Sequence, residues 1–468
     1  YYNNQSLFIA SSEIKSIYSY LDLKHREINP YYLARFFHTK LNDYSSDQTF
    51  YKNIKSVKAG EVLEINNANF NIKRKLNIKK FPIKNFQFQS KECVKNDFKN
   101  DFQKAVSARL ISDAPVGVLM SGGLDSSAIV SNIINLKKKE NVNFFYARQF
   151  ITNENKVSED DHYVKILSKH FKIKLNEIDL LKDHSKIEEI FLKLSKQFEE
   201  PFNIELTSIP IYLISKEMSN KGIKVSIDGV GGDEILSGYP SFLSLANSNL
   251  IKNNFLNFIN YFKLHMSYSN SNHLSNFLLI ASLLKNKFFP RTKRIDNKIY
   301  SNKFKDYIDS IHLVKLRAKY ETVIKRQLFE LFKFQIPYYL KISDQCNMIN
   351  NVENRSPFLD FNLFKYVFLK NEFKFKSGYM KILLREVLID DLPKEIVFRK
   401  NKSGFGSSID INNLKTKKNI EMILDCEVIR LILAKDINSK KILNEKALFK
   451  NLLILSYLST QYPLKLDI

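Results

Sequence analysis

The segment Ser121-Gly122-Gly123-Leu124-Asp125-Ser126-Ser127 constrains this chain more than any other. The run before it, Pro115 to Met120 (PVGVLM), is short, apolar and bounded by turn signals, and reads as a buried strand of a parallel sheet. Ala128 to Leu136, after it, reads as a helix. Two adjacent glycines let the backbone turn sharply and come close to a ligand. Backbone N–H groups at the helix N-terminus, with the hydroxyls of Ser121, Ser126 and Ser127, make a cradle for an anion. Asp125 would repel a bare phosphate. It fits if it holds Mg²⁺ that bridges to the phosphate oxygens. The Gly-Lys-Ser/Thr ending of a Walker A loop is absent. A Gly-Gly turn capped by an aspartate is the plainer alternative.

Strand and helix patterns alternate around this loop. Cys93 to Leu110 is amphipathic, with Val94, Phe98, Phe102, Ala105, Val106 and Leu110 at helical spacing. Asn143 to Ala147, Lys174 to Ile178 and Lys224 to Ile227 read as further strands, and Asp160 to Phe171 and Ile209 to Asn220 as helices. The alternation predicts an α/β fold with a doubly wound parallel sheet. A second loop, Asp228-Gly229-Val230-Gly231-Gly232-Asp233-Glu234, follows Lys224 to Ile227 at the carboxyl end of the strand, where open α/β sheets bind ligands. Asp233 is placed to offer a second carboxylate to the same Mg²⁺. After Tyr239 the pattern turns almost wholly helical. Ahead of the sheet, Gln5 to Ile9 reads as a strand, Ser11 to Leu21 and Pro30 to Thr39 as helices, and Val62 to Ile72 as a hairpin around Asn66-Asn67. From Ile78 to Ser90, around Pro82, periodicity is lost and a linker is expected.

Composition narrows the classes. With 44% apolar and 13% aromatic residues, wholesale disorder does not fit. The apolar run Phe277 to Leu284 is far shorter than the roughly 18 to 20 residues that cross a bilayer, so no membrane partner is expected. Lysine and arginine exceed aspartate and glutamate by 73 − 49 = +24, but the charge is spread along the chain. A solvated lysine-rich surface accounts for it, and nucleic-acid binding would need basic clustering on one face with aromatics interleaved. Cys93, Cys346 and Cys426 are too widely spaced for a disulfide framework or zinc cluster, which fits a reducing, cytoplasmic setting.

Four segments in order, Ser121 to Ser127, Gly229 to Tyr239 (GVGGDEILSGY), Glu353 to Asp360 (ENRSPFLD) and Lys400 to Phe405 (KNKSGF), resemble successive signatures of the asparagine synthetase family. The first is similar to the pyrophosphate loop of ATP pyrophosphatases. Leu7 to Lys15, and Ile54 to Leu63 around Ala59-Gly60, resemble the closing part of that family's class II glutamine amidotransferase domain. The resemblance implies three parts: a partial α+β N-terminal-nucleophile amidotransferase domain over 1–80, a linker over 81–92, and a synthetase domain over 93–468. The synthetase part is expected to have an ATP pyrophosphatase (HUP-like) sheet and a largely helical C-terminal half. The family's glutaminase nucleophile and glutamine-binding motifs match upstream of Tyr1, so a longer protein, and no glutamine hydrolysis by these residues, is expected.

The activity implied by the resemblance is ATP-dependent amidation of aspartate to asparagine through a β-aspartyl adenylate. ATP and Mg²⁺ are the implied cofactors. Aspartate (or another acid) with ammonia or glutamine are the substrates, and a second copy of the chain is a possible partner. Ser121, Gly122, Gly123, Ser126 and Ser127 fit the pyrophosphate nest; Asp125 and Asp233 fit the metal. Leu119, Asp228, Gly229 and Gly231 fit the nucleotide's surroundings, with adenine against the backbone near Leu119 and Gly229. Lys402 fits the cation that stabilises departing pyrophosphate, with Lys381 the second candidate. Arg355 and Asp360 read as a structural ion pair, and Glu200 as a solvated loop acid. At Val230 the best-known asparagine synthetases carry a glutamate. Valine there keeps open amidation or cyclisation of a different carboxylate, of cell-envelope sugar or β-lactam type, and a non-catalytic basic protein remains the third reading.

Overall fold

The computed structural model describes the chain except residues 5, 24, 40–45, 67–68, 77–89, 138–140, 149, 152–155, 158, 180–186, 203–207, 243–244, 247–298, 311–319, 321, 377–378 and 401–413. Its centre is a sheet of five parallel strands: β1 Val116–Leu119, β2 Val142–Arg148, β3 Leu175–Asp179, β4 Val225–Ile227 and β5 Glu353–Arg355. They lie in the order β3-β2-β1-β4-β5. Register places Val118 beside Phe144 and Ile227, and Ile227 beside Arg355.

Side chains that alternate along β2 feed two separate cores. Phe144 and Tyr146 join Phe98, Phe102, Ile129 and Val164, whereas Phe145 and Ala147 join Tyr212, Ile214 and Met218 on the opposite face. The first set comes from helices α1 Lys91–Arg109, α2 Leu124–Asn135 and α3 Glu159–Phe171, the second from α4 Ser208–Asn220. Helices on both faces make the sheet doubly wound, as the alternation predicts. Burial of both faces is also why β1 is apolar throughout.

Three expectations need correction. Helix α2 starts at Leu124, four residues before the apolar pattern begins, because Asp125, Ser126 and Ser127 form its first turn. The described residues after Tyr239 are largely but not almost wholly helical: β5 completes the sheet, and Phe375–Lys376 pairs with Tyr379–Met380. Of the strand expected over Gln5 to Ile9, the described part is Phe8–Ile9, paired with Tyr2–Asn3, and Gln5 lies outside the described residues. Strand β5 is too short and too polar (Glu-Asn-Arg) to show a period of its own.

The N-terminal hairpin is present, Glu61–Ile65 against Ile72–Leu76, although Asn67 and residues 78–89 of the expected linker lie outside the described residues. This part shares a core with the helix Ile187–Phe198 and the C-terminal helix Lys446–Gln461, where Leu33 and Phe50 cluster with Phe198 and Leu452. Leu464–Lys465 also pairs in parallel with Arg26–Glu27. No described helix is long and apolar enough to cross a membrane.

Candidate active site

The first loop folds on its own serines. Ser126 Oγ donates to the Gly123 carbonyl at 3.1 Å and accepts from Ser121 N–H at 3.3 Å, and Ser121 Oγ accepts from Gly123 N–H at 3.4 Å. Gly122 has φ +64°, and a Cβ there would lie 2.8 Å from Tyr163 Cβ and 3.0 Å from Val164 N, so only glycine fits. Ser127 Oγ is buried and has no hydrogen-bond partner among the described residues.

The second loop is clamped from outside. Asp228 is buried, and its carboxylate accepts from Val230 N–H at 3.1 Å, Ser356 Oγ at 2.6 Å and Asn354 Nδ2 at 2.9 Å. Burial pushes its carboxyl above the usual carboxylate range. All three partners are protein groups, so Asp228 joins β4 to β5. Gly231 caps the short helix α5 Gly232–Leu236, and Gly229 follows the end of β4 just as Leu119 ends the neighbouring β1. A Cβ on Gly232 would lie 2.7 Å from Asp125 Oδ1, which is how closely the two loops meet.

Between the loops lies Lys381. Its Nζ is 2.6 and 2.5 Å from the two Asp125 carboxylate oxygens and 2.5 Å from Asp233 Oδ1. It is only 6% exposed, so its charge faces the two carboxylates and not bulk water. Lys381 holds a left-handed backbone, φ 57°, just before helix α7 Ile382–Leu388, a conformation that costs a non-glycine residue of order 1 kcal/mol. The two aspartate carboxylates are hard oxygen donors of the kind Mg²⁺ takes and are the residues that would hold it. Among the described residues no group of three or more metal-ligating side chains gathers. Lys402 lies outside the described residues, while Lys381 sits at the centre of the site.

Further buried polar groups support α5. Gln327, on helix α6 Val323–Phe332, donates to the carbonyls of Glu234 and Ile235 at 2.7 and 2.8 Å. Lys374 Nζ donates to Gln327 Oε1 at 2.7 Å, and burial pulls its pKa down to about 7. Glu234 accepts from Tyr239 Oη at 2.6 Å; burial first, then the Asp233 charge, push it up to about 7.

Sequence reasoning misses Arg399, which reaches the first loop with Nη1 3.0 Å from the Gly122 carbonyl oxygen. The signature KNKSGF begins one residue after it, and an arginine among 73 cationic residues carries no local signal. The ion pair expected between Arg355 and Asp360 is replaced by two others: Arg355 pairs with Glu353 at 2.8 Å and Asp360 pairs with Arg109. Glu200 is not a solvated acid; it is 2% exposed and paired with Lys341.

Comparison with known proteins bears on this site. Residues 97–448 match the family model described as asparagine synthase. A candidate glutamine-hydrolyzing asparagine synthetase of Methanocaldococcus jannaschii is 31% identical over 52% of this chain and 45% of its own length. The glutamine-hydrolyzing asparagine synthetases 1 and 3 of Bacillus subtilis are 25% and 26% identical, over 64% and 86% of this chain. The matches span 48% and 62% of those two proteins, so this chain corresponds to about half to three fifths of the relatives' length.

Proposed function

We propose a function from one premise: the chain belongs to the asparagine synthase family. It activates a carboxylic acid with ATP and transfers the acyl group to nitrogen, with aspartate as the acid and ammonia as the acceptor. The observation that carries this reading is the buried Lys381 ammonium between Asp125 and Asp233, on two loops that leave neighbouring parallel strands at their carboxyl ends.

In the first step a carboxylate oxygen attacks the α-phosphorus of ATP, the bond to the bridging oxygen breaks, and pyrophosphate leaves. In the second, ammonia attacks the acyl carbon, the bond to AMP breaks, and nitrogen loses a proton. Pyrophosphate departs with several negative charges. The Gly123 N–H and the Ser121, Ser126 and Ser127 hydroxyls supply donors for it, Ser127 Oγ being the one still without a partner among the described residues. Lys381 supplies a fixed positive charge, and Lys402 is the second cation in this reading. Asp125 and Asp233 would hold Mg²⁺, which neutralises phosphate charge when bound.

A second reading keeps the activation and changes the acid. Val230, half-buried against the core beside Asp228, accepts no proton and binds no ammonium group, which favours an acid other than aspartate. Exchange of labelled pyrophosphate into ATP, tested with aspartate and with other carboxylic acids, decides between them. Exchange that requires aspartate supports the first reading, and exchange only with another acid supports the second. Absence of exchange with every acid, together with absence of ATP binding, overturns both.

A further inference from the structure

The geometry points to Arg399 as a positioning residue that sets the orientation of the Gly122–Gly123 peptide, so that the Gly123 N–H faces pyrophosphate. The inference rests on the ATP-activating reading above.

Arg399 is 8% exposed and is gripped on three sides. Its Nη1 donates to the Gly122 carbonyl at 3.0 Å, its Nη2 pairs with Asp160 in the first turn of α3, and its guanidinium lies 4.0 Å from the centroid of the Tyr163 ring. A planar fork committed in three directions is a rigid reference point, which a lysine ammonium would not be.

What it holds is a peptide with little stiffness of its own. Glycines flank the 122–123 bond, and glycine moves between positive and negative φ at small cost, so the peptide plane can flip. In a trans peptide the C=O and the next N–H point in opposite directions. With the Gly122 carbonyl drawn to Arg399, the Gly123 N–H is turned to the other side. There it reaches Ser121 Oγ at 3.4 Å, within the serine cradle. A flipped peptide would present a carbonyl oxygen to an anion, which repels it. Arg399 therefore acts through the loop, and its own charge is engaged by Asp160.

Another arginine fixes Arg399 in turn. Arg385, in α7, donates to the carbonyls of Arg399 at 3.2 Å and of Met380 at 2.7 Å, and to that of Val397. Met380 precedes Lys381, so one buried guanidinium sets the backbone of both cationic residues.

The test measures binding of inorganic pyrophosphate with Mg²⁺, of ATP, and of adenosine to the full chain. Arg399→Ala should weaken pyrophosphate and ATP at least 10-fold, leave adenosine within 2-fold, and recover on adding millimolar guanidinium (roughly 1.4 kcal/mol per tenfold). Arg399→Lys, which keeps the charge and the fold, should lose several-fold in pyrophosphate affinity and stay unresponsive to guanidinium. Wild-type pyrophosphate affinity in both variants overturns the inference and leaves the ATP reading standing. Equal loss of adenosine and pyrophosphate also overturns it, since Arg399 would then be merely structural. If the wild-type chain binds neither ATP nor pyrophosphate, the ATP reading falls and the inference falls with it.

Discussion

The two glycine-rich loops do matching jobs by opposite means. The loop at Ser121 to Ser127 is organised from within, its serine network closing over at most five residues. The loop at Asp228 to Glu234 is organised from outside, since the Asp228 carboxylate takes two of its partners from residues 126 and 128 positions away. The first supplies N–H and hydroxyl donors, and the second supplies a carboxylate on a five-residue helix that Gln327 suspends. A local network survives on short-range contacts, whereas a clamped loop depends on the sheet having closed. The two loops should therefore fail differently.

The largest expected effect treats them alike. Asp125→Asn and Asp233→Asn should each lower ATP-dependent pyrophosphate release roughly 10³-fold, because each removes a charge that the site arranges around its cation. Thermal unfolding should stay within a few degrees of wild type. Full activity in either variant would remove that loop from the site.

Asp228 separates the loops next. Asp228→Ala leaves three donors unpaired and should cost about 3 kcal/mol in urea unfolding. Asp228→Asn should cost under about 1 kcal/mol, because Asn354 Oδ1 is buried without a partner among the described residues and an amide rotation would offer it to the new NH₂ group. Equal costs for the two variants would refute the clamp.

Alanine at one glycine in each loop sharpens the contrast. Gly122→Ala should lose about 1–3 kcal/mol of stability, since the left-handed backbone and the α3 backbone nearby both resist a Cβ. Gly232→Ala first meets the Asp125 side chain and needs no left-handed backbone, so it should cost about 1 kcal/mol in stability yet push Asp125 off Lys381 and reduce activity about 10-fold. The reverse pattern would show that the second loop is the stiffer one.

A further prediction probes the suspension of α5 through pH. Burial lowers Lys374 from 10.5 to about 7, so between those values the unfolded chain binds a proton that the folded chain has released. Stability should therefore rise with pH across that window, by at most about 1.4 kcal/mol per pH unit. Glu234 has the opposite sign: raised from 4.5 to about 7, it makes stability fall as pH climbs through that lower range. Lys374→Met should flatten the upper slope and leave the lower one, as read from urea titrations at successive pH values.

The same contrast explains what could be read beforehand. The first loop, its strand and its helix were legible because their signals are adjacent in the chain: apolar run, glycine pair, then periodic residues. Even there the helix starts earlier than the apolar pattern, since polar residues of a first turn carry function instead of period. In the second loop the glycines and Asp233 are legible, but the hold of Asp228 on Asn354 and Ser356 is not, because those partners lie far along the chain. The place of Lys381 is not legible, because local sequence cannot say which of many lysines a fold will bury.

By itself, then, the chain determined its alternating α/β layout, both loops and the two aspartates, because periodicity and turn chemistry act over a few residues. Only the tertiary structure decided the fifth strand, the Asp228 clamp, the place of Lys381 between the aspartates and the grip of Arg399 on Gly122. Each of those depends on groups more than 100 residues apart, brought together by closure of the sheet and its two cores. Burial then gives such contacts their strength, since a charge or donor removed from water must find its partner within the protein.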